Sequence, residues 1–170
     1  YGFSGLCLAS GTLLDRSANR GECAQVCRTW FQGPGGRKVY DFSTNDLALG
    51  PRIRDLSALG VQSFKVEGRM KGPEYARAAA RWYRGILDGF SEEELKLREE
   101  HLRLAFGRKL TTGFITGAKG QDLLGTDFPS SRGIAAGNVK RVRPGAFLLT
   151  LETDLHPRDG LGFWMGPGQE

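Results

Sequence analysis

Val61-Gln62-Ser63-Phe64-Lys65-Val66, followed after a polar turn by Gly72-Pro73 and then by Tyr75, Ala78, Ala79, Trp82, Tyr83, Ile86, Leu87 and Phe90, decides how the fold reads. The first six positions include an alternating apolar set, the pattern of a strand. The later apolar residues recur at spacings of three and four behind a proline, the pattern of an amphipathic helix with Pro in its first turn. Upstream, Val39-Tyr40-Asp41-Phe42 reads as another short strand, Ser43 or Asn45 can cap a helical turn over Asp46 to Leu49, and Pro51 to Leu59 reads as a helix stopped by Gly60. Strand, helix, strand, helix in chain order predicts parallel pairing through right-handed crossovers, and hence the α/β class. Downstream, Ser91-Glu92-Glu93-Glu94 is a capping box that opens a further helix toward Phe106, ending before Gly107.

The flanks have a different texture. Residues 1–36 hold all three cysteines among Gly, Ser, Asn and Arg without sustained periodicity, so loop with short helical turns is expected there. Residues 37–106 form the βα units, 107–129 read as a glycine-punctuated linker, and 130–170 as part of a second, all-β domain. In that last segment three strands are expected, over Ile134 to Val142, Ala146 to Leu151 and Leu161 to Met165, with Pro144-Gly145 as the hairpin turn. Three strands cannot close a barrel, so the domain reads as incomplete. The opening on Tyr1 without an initiator Met fits a piece of a longer protein.

The chain has 170 residues, 39% of them hydrophobic and 25% charged, enough for a core and too apolar for a disordered chain. No window has the apolar length of a membrane span and no secretory leader opens it, which predicts a soluble, cytoplasmic protein. The net charge of +5 is unevenly spread: residues 107–143 carry seven basic and two acidic side chains, whereas residues 91–106 carry three basic and five acidic. A basic stretch of this kind suits a nucleic-acid partner, although a solvated surface accounts for it equally well.

Cys7, Cys23 and Cys27 are odd in number, which disfavours a disulfide framework in a reducing compartment. Thiolates select zinc or iron–sulfur centres, and the spacing of Cys23 and Cys27 puts two sulfurs one helical turn apart, on one face, where they can grip a common centre. Inert buried thiols and a catalytic nucleophile are the other readings. Arg20 and Arg28 flank these cysteines and can stabilise thiolates or a cluster's negative charge, or simply bond loop carbonyls. Glu67, Arg69 and Lys71 follow the Val61–Val66 strand, the place where α/β barrels carry their chemistry. Arg69 and Lys71 could hold phosphates or carboxylates, with Glu67 orienting Arg69 or a base edge, and a salt-bridged strand end is the alternative. His101, beside Glu99 and Glu100, and His156, before Pro157, read as surface residues. The HExxH, GxSxG and phosphate-loop signatures are absent.

Three strings carry a resemblance: Ser4-Gly5-Leu6-Cys7-Leu8-Ala9-Ser10, then Ser17-Ala18-Asn19-Arg20-Gly21-Glu22-Cys23-Ala24-Gln25-Val26-Cys27-Arg28, then Phe64-Lys65-Val66-Glu67-Gly68-Arg69-Met70-Lys71 with Tyr75 and Tyr83-Arg84. In this order and spacing the chain resembles peptidase family U32, the collagenase-like protease family. The resemblance implies the last βα units of a TIM-like barrel followed by part of a small β-barrel, as in the family's longer, ribosomal-RNA branch. It also implies a 4Fe-4S cluster on Cys7, Cys23, Cys27 and a fourth cysteine that falls just before Tyr1. The activity implied is oxygen-independent hydroxylation of an RNA base or a quinone precursor, with RNA as the expected partner. A collagenase-like peptidase and a non-catalytic RNA-binding module are the competing readings. Arg108 and the Arg132-Gly133 turn match the family's Phe-Asn-Arg and Arg-Gly positions, with Gly107 standing where Asn is usual.

Overall fold

The computed structural model describes residues 7–68, 71–126 and 128–164, as a mixed α/β structure. They fall into two compact units, the first built from residues up to Val61 together with Arg108–Ser131, the second from Gln62–Gly107 and Arg132–Trp164.

The second unit rests on a helical hairpin. Helix α3, Pro73–Asp88, starts with Pro in its first turn and ends at Gly89, whose φ of +80° lets its N–H reach back to the carbonyls of Gly85 and Ile86. Helix α4, Glu92–Ala105, carries the full capping box: the Ser91 hydroxyl accepts from the Glu94 N–H while the Glu94 carboxylate accepts from the Ser91 N–H. The apolar stripe of α3 buries Ala79, Trp82 and Ile86 against Leu95 and Leu102 of α4. Burying a side chain such as Ile86 is worth about 1.5–3 kcal/mol. Close approach at Gly85, where an added Cβ would lie 3.3 Å from the Arg98 side chain, brings the helices together.

The same unit contains a β-hairpin. Strands β5, Gly137–Arg143, and β6, Ala146–Leu151, pair antiparallel around Pro144-Gly145, with one extra residue inserted between Val139 and Arg141. The expected third strand is not formed over Leu161–Trp164, and Met165 lies outside the described residues. Those residues use their aromatic rings instead: Phe163 packs edge-on against Phe147 at 4.8 Å, and the Arg132 guanidinium lies 4.3 Å from the Trp164 ring centre.

The Val61–Val66 strand is also not formed. Residues 61–68 run without regular structure, and Val61 and Val66 are exposed, because none of the described strands lies alongside to complete a ladder. The parallel pairing that was expected there occurs elsewhere. Strand β3, Asp46–Leu47, pairs in parallel with β4, Leu110–Thr111, through Asp46 N–H to Lys109 C=O and Ala48 N–H to Thr111 C=O, each 2.9 Å. Asp46 to Leu49 is therefore strand and loop, not a helical turn. The 107–129 stretch supplies β4, and its loop docks on the 43–45 segment through a Thr44–Leu124 bridge. The upstream strand is Lys38–Val39, β2, which begins one residue earlier than expected and pairs antiparallel with Phe31–Gln32, β1. Tyr40 to Phe42 turn instead, closed by Ser43 N–H to Tyr40 C=O. Helix α2, Ile53–Ala58, follows a short 3-10 turn from Gly50 and stops before Gly60, as read. Among the described residues there are three two-stranded sheets and no closed barrel. None of the described helices is long and apolar enough to cross a membrane.

Candidate functional site

The cysteine segment is organised by one small side chain. Ser10, buried within α1, Ala9–Leu14, accepts a hydrogen bond from the Ala24 N–H at 3.1 Å and donates its hydroxyl toward Cys23 Sγ at 3.8 Å. With the Ala24 N–H taken, the chain between the two later cysteines does not become a helix. Gln25 adopts a left-handed conformation, φ +53°, its N–H points at Cys23 Sγ, and a 3-10 turn begins only at Val26. Cys23 and Cys27 thus do not share a helical face, in contrast to the spacing argument. Helix α1 packs against the Val26–Arg28 turn, which keeps Cys7, just before α1, in the same segment as the other two. All three thiols are free; Cys23 is exposed and Cys7 and Cys27 are half-buried. Among the described residues no three Cys, His, Asp or Glu side chains gather into a metal-binding group. The donor chemistry, thiols alone, is that of a soft iron or zinc centre.

Arg28, next to Cys27, is the best anchored of the predicted site residues. Its guanidinium donates to Ser43 Oγ at 2.8 Å, to the Thr44 carbonyl, and to Thr44 Oγ1 at 3.2 Å, and it stands 3.8 Å from Asp46 Oδ1. Asp46 is also bound by Arg108, through Nε to Oδ2 at 2.9 Å and a second bond to Oδ1, the oxygen Arg28 approaches, while Arg108 also reaches the Pro129 carbonyl. This is a fork-on-fork pair shared with a third charge. Burial first, and then the nearby Arg108 cation, lower the pKa of Arg28; Cys27 and Asp46 act in the opposite direction. Two guanidiniums and one carboxylate leave an excess positive charge beside Cys27, suited to stabilise a thiolate or another anion.

The remaining predicted residues are not drawn into this cluster. Arg20 is exposed in a 3-10 turn over Ala18–Arg20. Glu67 is exposed and pairs with Lys65 at 3.3 Å, while its carbonyl accepts from the Tyr75 hydroxyl at 3.1 Å. Lys71 places its ammonium 3.2 Å from the centre of the Phe106 ring. Arg69 lies outside the described residues. His101 and His156 are exposed, as read. Asp46 gives no site signal in the sequence, where it reads as part of a helical turn. Arg108 stands out only through the resemblance and as a cation in a basic stretch.

The strings and the cysteine segment define a class. The family model for peptidase family U32 matches residues 1–124, and the chain belongs to that family. Among curated relatives, the chain is 33% identical to the 23S rRNA 5-hydroxycytidine C2501 synthase of Escherichia coli (strain K12), over 94% of this chain and 27% of the relative. It is 32% identical to a collagenase of Porphyromonas gingivalis over 68% of this chain and 35% of that protein. With tRNA hydroxylation protein P1 of Bacillus subtilis (strain 168) it shares 30% identity, over 71% of this chain and 32% of the relative. The chain therefore spans about a third or less of the length of these relatives. No solved structure matches it significantly.

Proposed function

We propose that this chain is part of an iron–sulfur-dependent hydroxylase of an RNA base, acting in the cytoplasm. The observation that carries this reading is the extent of the match to the ribosomal-RNA hydroxycytidine synthase, which covers 94% of the chain, whereas the collagenase match covers 68%. The cysteine segment supports it. Cys7, Cys23 and Cys27 would supply three thiolate ligands to a 4Fe-4S cluster, and a further ligand would complete the site. When bound, the cluster supplies one-electron chemistry. The work of the chain's own residues is separate: Ser10 holds the Cys23 loop against α1, and Arg28, fixed by Ser43, Thr44 and Asp46, offers positive charge next to Cys27. The parallel β3/β4 pair is the part of the structure that fits the end of a TIM-like barrel. Peptide hydrolysis is less well supported, since among the described residues no thiol is hydrogen-bonded to a histidine. Anaerobic reconstitution with iron and sulfide tests the reading. A brown protein with iron and sulfide in cluster stoichiometry, lost on Cys23→Ser or Cys27→Ser, is expected; a colourless protein that binds neither contradicts it.

A further inference from the structure

The β5/β6 hairpin has two unlike faces. Register pairs Val142 with Phe147, Val139 with Leu149 and Gly137 with Leu151, so these apolar residues share one face. Arg141 opposite Leu148, Arg143 opposite Ala146, and Asn138 opposite Thr150 make up the other. The extra residue at the register shift puts Lys140 directly beside Arg141, adding a third cation to the same strand. From Gly137 to Leu151 the sequence holds these three basic residues and no acidic one. All three are exposed, and among the described residues none forms an ion pair. The nearest acid in sequence, Glu152, is held by Asn138 at 2.8 Å, at the opposite end of the ribbon from Arg143. Some cations elsewhere do have acidic partners, Arg84 with Asp88, Arg103 with Glu99 and Arg108 with Asp46.

A row of unpaired cations on a two-stranded ribbon costs self-repulsion and returns nothing to the fold. We propose that this face, Lys140, Arg141 and Arg143 with Asn138 and Thr150, docks the phosphate backbone of RNA. The charge is complementary to a polyanion, and the polar Asn138–Thr150 pair on the same face, next along the ribbon from the cations, can bond phosphate or ribose oxygens. Contact of this kind positions the nucleic acid without reading its sequence. The proposal rests on the RNA reading above and adds where RNA is held.

The test is binding of a short, fluorescently labelled hairpin RNA of mixed sequence to the full chain, followed by anisotropy across a salt series. The triple variant K140A/R141A/R143A should bind at least about tenfold more weakly, and the slope of log affinity against log salt should shrink by about 2 to 3, as lost phosphate contacts require. The variant R141K/R143K keeps the charges and should keep the slope. The variant R77A/R81A/K96A removes the same net charge from α3 and α4 and should bind like wild type; matching thermal melts would show that all the variants fold. If wild type binds and the hairpin triple variant binds equally well with the same slope, the docking face is wrong while the RNA reading stands. If R77A/R81A/K96A weakens binding as much as the hairpin triple, only net charge matters and the proposal fails. If wild type binds anionic phosphatidylserine vesicles but not the RNA, both the docking face and the RNA reading fall.

Discussion

At the scale of single residues, the arrangement most sensitive to change is the carboxylate of Asp46 between two guanidiniums. Arg28 and Arg108 each expose less than a fifth of their side chains, so neither cation can fall back on water if the anion goes. Asp46→Asn keeps the shape and removes the charge. It should cost roughly 1.5–3 kcal/mol, the range for hydrogen bonds to charged groups, read as a lowered urea midpoint at unchanged slope. Arg108→Lys, which keeps the charge and loses the fork, should fall between. An unchanged midpoint in Asp46→Asn would show that the cluster is solvated and slack. Gly107 is a second such point. An added Cβ would lie 2.5 Å from the Arg103 carbonyl oxygen and 2.7 Å from that of Gly133, both backbone atoms, and the Gly107 carbonyl accepts from the Arg132 N–H at 2.8 Å. These close approaches are a physical reason for glycine at this position. Gly107→Ala should destabilise by about 1–3 kcal/mol through overpacking, and a melting temperature equal to wild type would refute the close approach.

At the scale of elements, the helical hairpin is where local signals and structure agree. Ile86→Ala should cost about 2–5 kcal/mol and Ser91→Ala about 1 kcal/mol, and in denaturant melts the two should add, since they act on different parts of the hairpin. The α3 end also carries a pH signature. The hydrogen bond from Arg84 holds the Asp88 carboxyl below the usual aspartate range. A lowered native value means that this contribution is present above the unfolded pKa and is lost as pH falls through the native one. An NMR titration should find Asp88 ionising below the ordinary aspartate range, moving upward in Arg84→Gln; identical values in both would deny the bond in solution. These helices were legible in the sequence because everything that makes them is within four residues: period, proline, capping box, terminal glycine. The β3/β4 pair was not legible. Two-residue strands have no period, and the Asp46–Arg108 contact joins positions 62 apart. Val61 to Val66 is the opposite case, with the period of a strand but no neighbouring strand among the described residues. In the candidate site, Arg28 could be read from its place beside Cys27, whereas the partners that fix it, Ser43, Thr44 and Asp46, come together only through folding.

At the scale of the whole molecule, two units divide the labour. The first carries the three cysteines and the Arg28–Asp46–Arg108 cluster, and the second contributes a helical hairpin and a basic β-ribbon. The proposed cluster calls for thiolates beside fixed positive charge, and the proposed RNA contact calls for a cationic surface. The measurement that bears most directly on this is mass spectrometry of nucleosides from the RNA of a strain lacking the gene, with wild-type and Cys27→Ser copies reintroduced. The account predicts that one hydroxylated nucleoside disappears in the deletion, its precursor lighter by one oxygen taking its place, and that the wild-type copy restores it while Cys27→Ser does not. A deletion strain whose nucleosides match the parent in every species would contradict it.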